Sequence, residues 1–238
     1  MSSHEPRATS RGLFITGTDT GVGKTLVASA LLTAYAARGI KAVGMKPVAS
    51  GAEPGPEGLV NEDVEQLIAA SNVNAPREDI NPYCFRPPIA PHIAAFQAGI
   101  PIALDRIERS YGRLAASAQV VVVEGVGGFY VPLGKSIDTA QLAVRLALPV
   151  VLVVGMRLGC LNHALLTAHA ISAQGLKLAG WIANHVDPDM AVAEDNVRTL
   201  EERIAAPLIA RLSHAPRPDP RVTAAALDLA KLEGSDSP

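Results

Sequence analysis

Gly17-Thr18-Asp19-Thr20-Gly21-Val22-Gly23-Lys24-Thr25 lies between an apolar run, Leu13-Phe14-Ile15, and a helical pattern that opens Leu26-Val27-Ala28-Ser29-Ala30-Leu31-Leu32. The order is strand, glycine-rich turn, helix, the context a phosphate-binding loop requires. Glycines let backbone N–H groups approach phosphate oxygens without a Cβ in the way. The helix N-terminus adds unsatisfied donors and the positive end of its dipole. Lys24 brings a point charge to the outer phosphates, and Thr25 an oxygen for Mg²⁺. The usual spacing puts a glycine where Thr18 stands; here the glycine comes one residue earlier, at Gly17.

Outward from this loop, apolar runs and helical patterns alternate. The expected strands are Leu13–Thr16, Lys41–Lys46, Gln119–Glu124, Leu148–Gly155, Leu178–Ala183 and a short Pro207–Leu212. The four consecutive valines at 120–123 read as a strand buried on both faces. Helices are expected at Lys24–Arg38, Asn61–Ala70, Leu104–Ala118, Thr139–Ala147, Asn162–Ala173, Met190–Ala205 and Thr223–Leu232. Gly39 suits the C-terminal glycine position of the first, and Asn61 the cap of the second. Ala49–Gly58, with three glycines and two prolines, reads as a loop, and so does Ala75–Pro91 with five prolines. Within the latter, Tyr83 and Phe85 argue for packing against something.

Alternating strands and helices imply an α/β fold: a single P-loop NTPase-type domain, with a mainly parallel sheet and helices on both faces. The expected organisation is a flexible tail over 1–11, the domain over 12–216, and a partly helical extension over 217–238.

The 238 residues are enough for a substantial core, 48% are hydrophobic, and the formal net charge is −2. Without a long basic run, nothing points to nucleic acid. The polar start lacks a signal core and the apolar strands are too short to span a bilayer, so a cytoplasmic protein with no membrane association is expected. Cys84 and Cys160 read as two buried thiols in a reducing compartment.

In doubly wound sheets ligands gather at the carboxyl ends of the strands. The polar residues expected there are the phosphate loop, Lys46, Glu124, Arg157 and Asn184. Read singly, Lys46 could be a snorkelling surface lysine, Glu124 a solvated rim carboxylate, Asp63 a carboxylate favoured by its helix dipole, and Asn184 a turn residue. Read together, two carboxylates and Thr25 beside a phosphate loop suit a hard octahedral ion.

Several stretches, in order, resemble the ATP-dependent dethiobiotin synthetase family. They are the phosphate loop, Lys46-Pro47-Val48-Ala49-Ser50-Gly51, Asn81-Pro82-Tyr83, Pro91-His92-Ile93, Glu124-Gly125-Val126-Gly127-Gly128, Leu158-Gly159-Cys160-Leu161-Asn162-His163-Ala164 and Gly180-Trp181-Ile182-Ala183-Asn184. The similarity runs from about Leu13 to about Leu212. It implies carboxylation and ring closure of 7,8-diaminopelargonic acid with CO₂ (or bicarbonate) and MgATP, through a carbamate and a carbamic–phosphoric anhydride, to dethiobiotin, ADP and phosphate.

The resemblance also assigns roles. Lys46 and Lys24 are catalytic. Gly21, Val22, Gly23, Lys24, Thr25, Leu26, Asp63, Glu124, Gly125, Val126, Gly127, Asn184 and His185 contact ATP. Thr25, Asp63 and Glu124 hold Mg²⁺. Thr20, Ser50 and Gly159 to Asn162 (with Cys160 and Leu161) contact the substrate, the last segment taking its carboxylate from across a homodimer interface. The chain departs from the family at Arg211–Ala215, where relatives often have an acidic-Ile-Pro stretch, and near Asn196, where some have a tyrosine. After Pro216 it follows no family motif.

The competing reading is a partition or septum-positioning switch ATPase. Those carry a signature lysine inside the phosphate loop, where this chain has Asp19. A cobyrinic acid amidase would need a further glutaminase domain. The intact set of Lys24, Lys46, Asp63 and Glu124 weighs against a non-catalytic nucleotide binder.

Overall fold

A computed structural model describes residues 11–56 and 58–234. In chain order the elements are β1 (Arg11–Gly17), α1 (Lys24–Ala37), β2 (Ala42–Met45), β3 (Val48–Ser50), β4 (Glu53–Gly55), β5 (Gly58–Val60), α2 (Glu62–Ala70), α3 (Arg77–Ile80), β6 (Tyr83–Phe85), α4 (Pro91–Ala98), α5 (Leu104–Ser117), β7 (Val120–Glu124), α6 (Thr139–Leu146), β8 (Val150–Met156), α7 (Cys160–Ala173), β9 (Leu178–His185), α8 (Ala193–Arg203), β10 (Leu208–Leu212), α9 (Pro220–Ala226) and α10 (Leu229–Glu233).

Six strands form one parallel sheet in the order β10-β9-β8-β1-β7-β2. The valine run explains its layers. Val120 and Val122 face one apolar layer with Leu13, Ile15, Val27 and Leu31; Val121 and Val123 face the other with Phe14, Ile107, Leu152 and Trp181. That alternation is the two-residue period of a strand buried on both sides. α1, α9 and α10 cover the first face, and α5, α6, α7 and α8 the second. Strand order reverses around β1, so the loops after β1, β2 and β7 open on one crevice, where such sheets bind ligands.

Several boundaries differ from the sequence reading for local reasons. β1 starts at Arg11, whose N–H donates to Gln119 O; residues 1–10 and 235–238 of the two expected tail segments lie outside the described residues. β8 starts at Val150, because Pro149 has no N–H for the ladder, though its carbonyl accepts from Phe14 N. α7 begins at Cys160, two residues early, because Gly159 turns the chain at φ 96°. α8 begins at Ala193 rather than Met190, after an Asx turn in which Asp187 Oδ1 accepts from Asp189 N. The expected helix 223–232 is two, since Asp219 caps α9 and Asp228 caps α10.

The two expected loops hold structure. Val48–Ser50 and Tyr83–Phe85 pair as a small parallel sheet, and Glu53–Gly55 pairs antiparallel with Gly58–Val60. Three-residue strands carry no readable period. Tyr83 and Phe85 are buried, as their packing predicts, and Tyr83 Oη accepts from Ala103 N at 2.9 Å. α4 also goes unseen in the sequence; it opens with Pro91 and ends at Gly99, φ 66°. Both cysteines are free, but only Cys160 is buried; Cys84 is partly buried on β6, correcting the expectation of two buried thiols.

Candidate functional site: a charged cluster at the strand tips

Glu124 ends β7 directly beside β1, its Cα partnered with Ile15. The following residue, Gly125, donates its N–H to Ile15 O at 2.9 Å, and a Cβ there would meet that same oxygen at 3.2 Å. The missing side chain therefore lets the loop after β7 lie against the base of the phosphate loop. Glu124 is 1% exposed. Its Oε1 accepts from Thr25 Oγ1 at 2.8 Å and from Lys46 Nζ at 2.5 Å.

Lys46 leaves β2 where the chain passes from the main sheet to the small one. Two contacts fasten its backbone: its N–H donates to Ile80 O, and its carbonyl accepts from Asn81 Nδ2 at 2.6 Å. The ammonium, buried, sits 2.5 Å from Glu124 and 2.9 Å from Asp63 Oδ2. Burial works against its charge, but the two carboxylates outweigh it and hold Lys46 above the ordinary lysine range. Asp63 lies in the first turn of α2, capped by Asn61 Oδ1 accepting from Val64 N. Burial pushes Asp63 up, but Lys46, Thr25 and Lys24 pull harder and leave it below the usual carboxylate range.

Lys24 turns back on its own loop, donating from Nζ to Asp19 O at 2.8 Å. Burial first, and then repulsion from Lys46, lower its pKa to about 8. An anionic phosphate beside it would act against both effects by favouring the charged form. The loop opens to solvent at Thr20 and Gly21. Thr20 also approaches the loop after β7, since a Cβ on Gly127 would lie 3.6 Å from Thr20 Oγ1.

The donor set of Thr25, Asp63 and Glu124 fits a hard divalent cation. Glu124 Oε2 is buried without a hydrogen-bond partner, while Asp63 is partly open to solvent. Among the described residues no group of three or more His, Cys, Asp or Glu is placed to hold a metal. Two carboxylates and a hydroxyl suit an ion that keeps several water ligands.

The other expected contacts lie at two further places. Ser50 ends β3; its carbonyl accepts from Asn61 Nδ2 at 3.2 Å, and its Oγ is buried and unpartnered. Asn61 thus ties Ser50 to the helix that carries Asp63. Gly159 and Asn162 are exposed at the start of α7, whereas Cys160 is packed in the core and its N–H donates to Arg157 O at 2.9 Å. Asn184, buried, donates from Nδ2 to Val22 O at 2.8 Å. A Cβ on Gly23 would come within 2.3 Å of that nitrogen, so only glycine admits it.

Asn184 and His185 form one wall of a cavity of about 510 Å³ that opens from Gly21 and Gly23. Arg211 to Ala215 form another wall, and Asp219, Val222 and Thr223 of the extension a third. Sequence reading missed the α9 residues because their helix follows no motif and meets the phosphate loop only through packing on α1. It also missed Asn81, named within a motif but given no role there, and Asn61's second bond to Ser50.

A family model described as an AAA domain matches residues 11–221. The ATP-dependent dethiobiotin synthetase BioD of Nitrosospira multiformis is 54% identical over 222 residues, 93% of this chain and 96% of that one. That of Ralstonia nicotianae is 53% identical over 92% of this chain and 96% of its own. Among solved structures, the MinD cell division protein of Aquifex aeolicus superposes with a TM-score of 0.55 at 16% identity, covering 95% of both chains. A ParA family ATPase from Chlorobium tepidum gives 0.56 at 13%, covering 96% of this chain and 98% of that one. At such identities the two structures speak for the fold alone.

Proposed function

Because the chain belongs to the ATP-dependent dethiobiotin synthetase family, and is thus an ATP-dependent ligase of biotin biosynthesis, we propose that its charged cluster phosphorylates a carbamate of 7,8-diaminopelargonic acid. One amine of the diamine takes up CO₂ as a carbamate. A carbamate oxygen attacks the γ-phosphorus of ATP, ADP leaves, and a carbamic–phosphoric anhydride remains. The second amine attacks the carbamoyl carbon, phosphate leaves, and the ureido ring of dethiobiotin closes.

The residues supply charge and orientation rather than a nucleophile, since the substrate provides both attacking groups. Carbamate and triphosphate are both anionic and repel strongly in a dry site. Lys24 reaches the outer phosphates once released from Asp19 O. Lys46, held cationic by Glu124 and Asp63, faces the transferring phosphoryl group, where negative charge gathers. Thr25, Asp63 and Glu124 would hold a Mg²⁺ ion, which would supply positive charge to offset that of the triphosphate. The loop amides of Gly21 to Leu26 and the loop Glu124 to Gly127 line the phosphates.

Thr20 and the unpartnered Ser50 hydroxyl hold the carbamate end of the diamine. The opening of α7 from Gly159 to Asn162 (with Cys160 and Leu161), where Gly159 and Asn162 are exposed, takes its distant carboxylate from a neighbouring subunit, as helix N-termini suit anions. This makes the working form a homodimer. Asn184 and His185 meet the base, with α9 closing the cavity, so the described part of the extension, residues 217–234, belongs to the catalytic domain. Among the described residues no helix is long and apolar enough to cross a membrane.

The observation that carries the reading is the buried Lys46 ammonium between two carboxylates, beside a phosphate loop. The test is phosphate release from MgATP with and without the diamine and bicarbonate, with product followed by mass. Release that requires both, matched by dethiobiotin, is expected. Diamine-independent hydrolysis without product would overturn it in favour of a switch ATPase.

A further inference from the structure

Asp19 is a junction. Its Oδ1 accepts from Thr20 N at 2.7 Å, its carbonyl accepts from Lys24 Nζ at 2.8 Å, and its Oδ2 accepts from the Arg157 guanidinium. Arg157 is a junction too. It follows the last residue of β8, and its carbonyl accepts from Cys160 N in the turn that opens α7. One arginine therefore grips the phosphate loop with its side chain and the first turn of α7 with its backbone. Two more bonds brace the same contact: Thr18 N donates to Val153 O at 3.0 Å, and Gly155 N donates to Thr18 Oγ1 at 3.2 Å.

The sites of the proposed function lie at the two ends of this connection. Lys24 and Thr20 meet the triphosphate and the carbamate; Gly159 to Asn162 meet the diamine carboxylate. We propose that the Asp19–Arg157 pair couples these sites, with Arg157 as a positioning residue through which occupation of the α7 turn favours the nucleotide-ready arrangement of the phosphate loop. The inference rests on the diamine reading above. Because on that reading the turn serves the neighbouring subunit's diamine, the coupling runs from one active site to the phosphate loop of the other.

The physics favours coupling over stability as the role of this pair. Both side chains are more than two-fifths exposed, 42% and 49%, and an ion pair so open adds little to folding. What it can do is bias a loop that must rearrange anyway when Lys24 leaves Asp19 for phosphate. Coupling of this kind is reciprocal, so nucleotide must tighten diamine binding by the same factor.

Calorimetric titration of MgADP into the whole protein, alone and with saturating 7,8-diaminopelargonic acid, reads the factor directly. The expected result for the native chain is roughly 5–10-fold tighter nucleotide binding with diamine present. Arg157→Gln should bring that ratio to about 1 with the melting temperature unchanged, and Arg157→Lys should keep part of it. A merely structural arginine would lower stability and leave the ratio alone. An unchanged ratio in Arg157→Gln, or a ratio of 1 in the native chain, would overturn the proposal while leaving the function standing. Failure of the native chain to bind the diamine at all would overturn both.

Discussion

At the β1 and β7 end of the strand tips, Lys24, Lys46 and Glu124 are at most 6% exposed and bonded to one another's neighbourhood. At the β9 and β10 end, the cavity beside Asn184 is walled by Arg211, about half exposed, and by the surface helix α9. The first region spends buried charge on charge, where the effective dielectric is low and each ion is costly to leave alone. The second uses shape, single hydrogen bonds and solvated side chains. On the proposed function chemistry belongs to the first region and affinity to the second, and substitutions should separate kcat from KM accordingly.

Lys46→Ala gives the largest expected effect. Turnover should fall about 100–1000-fold, as for loss of one charge-stabilising donor. The variant also strands Glu124 with a buried carboxylate, a loss of about 3–5 kcal/mol, so the melting temperature should drop by roughly 10 °C. The double variant Lys46→Met, Glu124→Gln should recover the melting temperature but not the turnover. Recovery of both, by steady-state assay and thermal melts, would break the assignment of chemistry to this end.

Next comes pH. Lys24 has a pKa of about 8, below the unfolded lysine value, so the charged form is the one nucleotide needs and the one burial disfavours. Phosphate binding must raise that pKa, and binding should take up protons above about pH 8. Nucleotide affinity should fall about tenfold from pH 7 to pH 9, by the fraction of Lys24 still protonated. For folding the sign is opposite: a lysine lowered in the native state adds stability as pH rises from about 8 towards its unfolded value. Titration in buffers of different ionisation heat checks the uptake; no uptake at pH 8.5 would sink the idea.

The same contrast explains what could be read from sequence. Gly21 to Thr25 announce themselves because strand, loop and helix are contiguous. The valine run names β7, and Glu124, which read singly could be a solvated rim carboxylate, becomes legible when read together with Thr25 and Asp63 beside the phosphate loop. Lys46 is legible by the same logic. Its support was not, since Asn81 reaches it from a stretch with five prolines and no period. The α9 wall of the cavity beside Asn184 was least visible of all. Its position depends on packing against α1, some two hundred residues earlier in the chain, and no local pattern encodes that distance. The small β3–β6 and β4–β5 pairs fail for a different reason, being too short for alternation to show.

Asn184→Ala tests the second region with an intermediate effect. The amide donates to Val22 O inside the phosphate loop, so its loss leaves a buried carbonyl without a partner and removes a wall of the cavity. At about 1–1.4 kcal/mol, the low end for such a group, KM for ATP should rise roughly 5–10-fold. Turnover at saturating ATP should hold within about twofold, since uniform binding alone is lost. A matching fall in kcat would mean that the base end also aligns the phosphates.

Asp219→Ala is the subtlest probe. Asp219 caps α9 by accepting from Arg221 N at 2.8 Å, and the residue lines the cavity. α9 has seven residues, too few to be stable by propensity, so it depends on the cap and on its packing against α1. Losing such a cap costs about 1 kcal/mol. That is enough to fray a short surface helix and too little to unfold a domain with a two-sided core. The expected result is a rise of about threefold in KM for ATP with unchanged kcat, together with faster amide exchange confined to Arg221–Ala226. Asp219→Asn keeps a capping acceptor and removes the charge. If Asn restores KM, α9 acts through its order; if only Asp does, the carboxylate itself meets the nucleotide, and the second region is not as free of charge chemistry as its exposure implies.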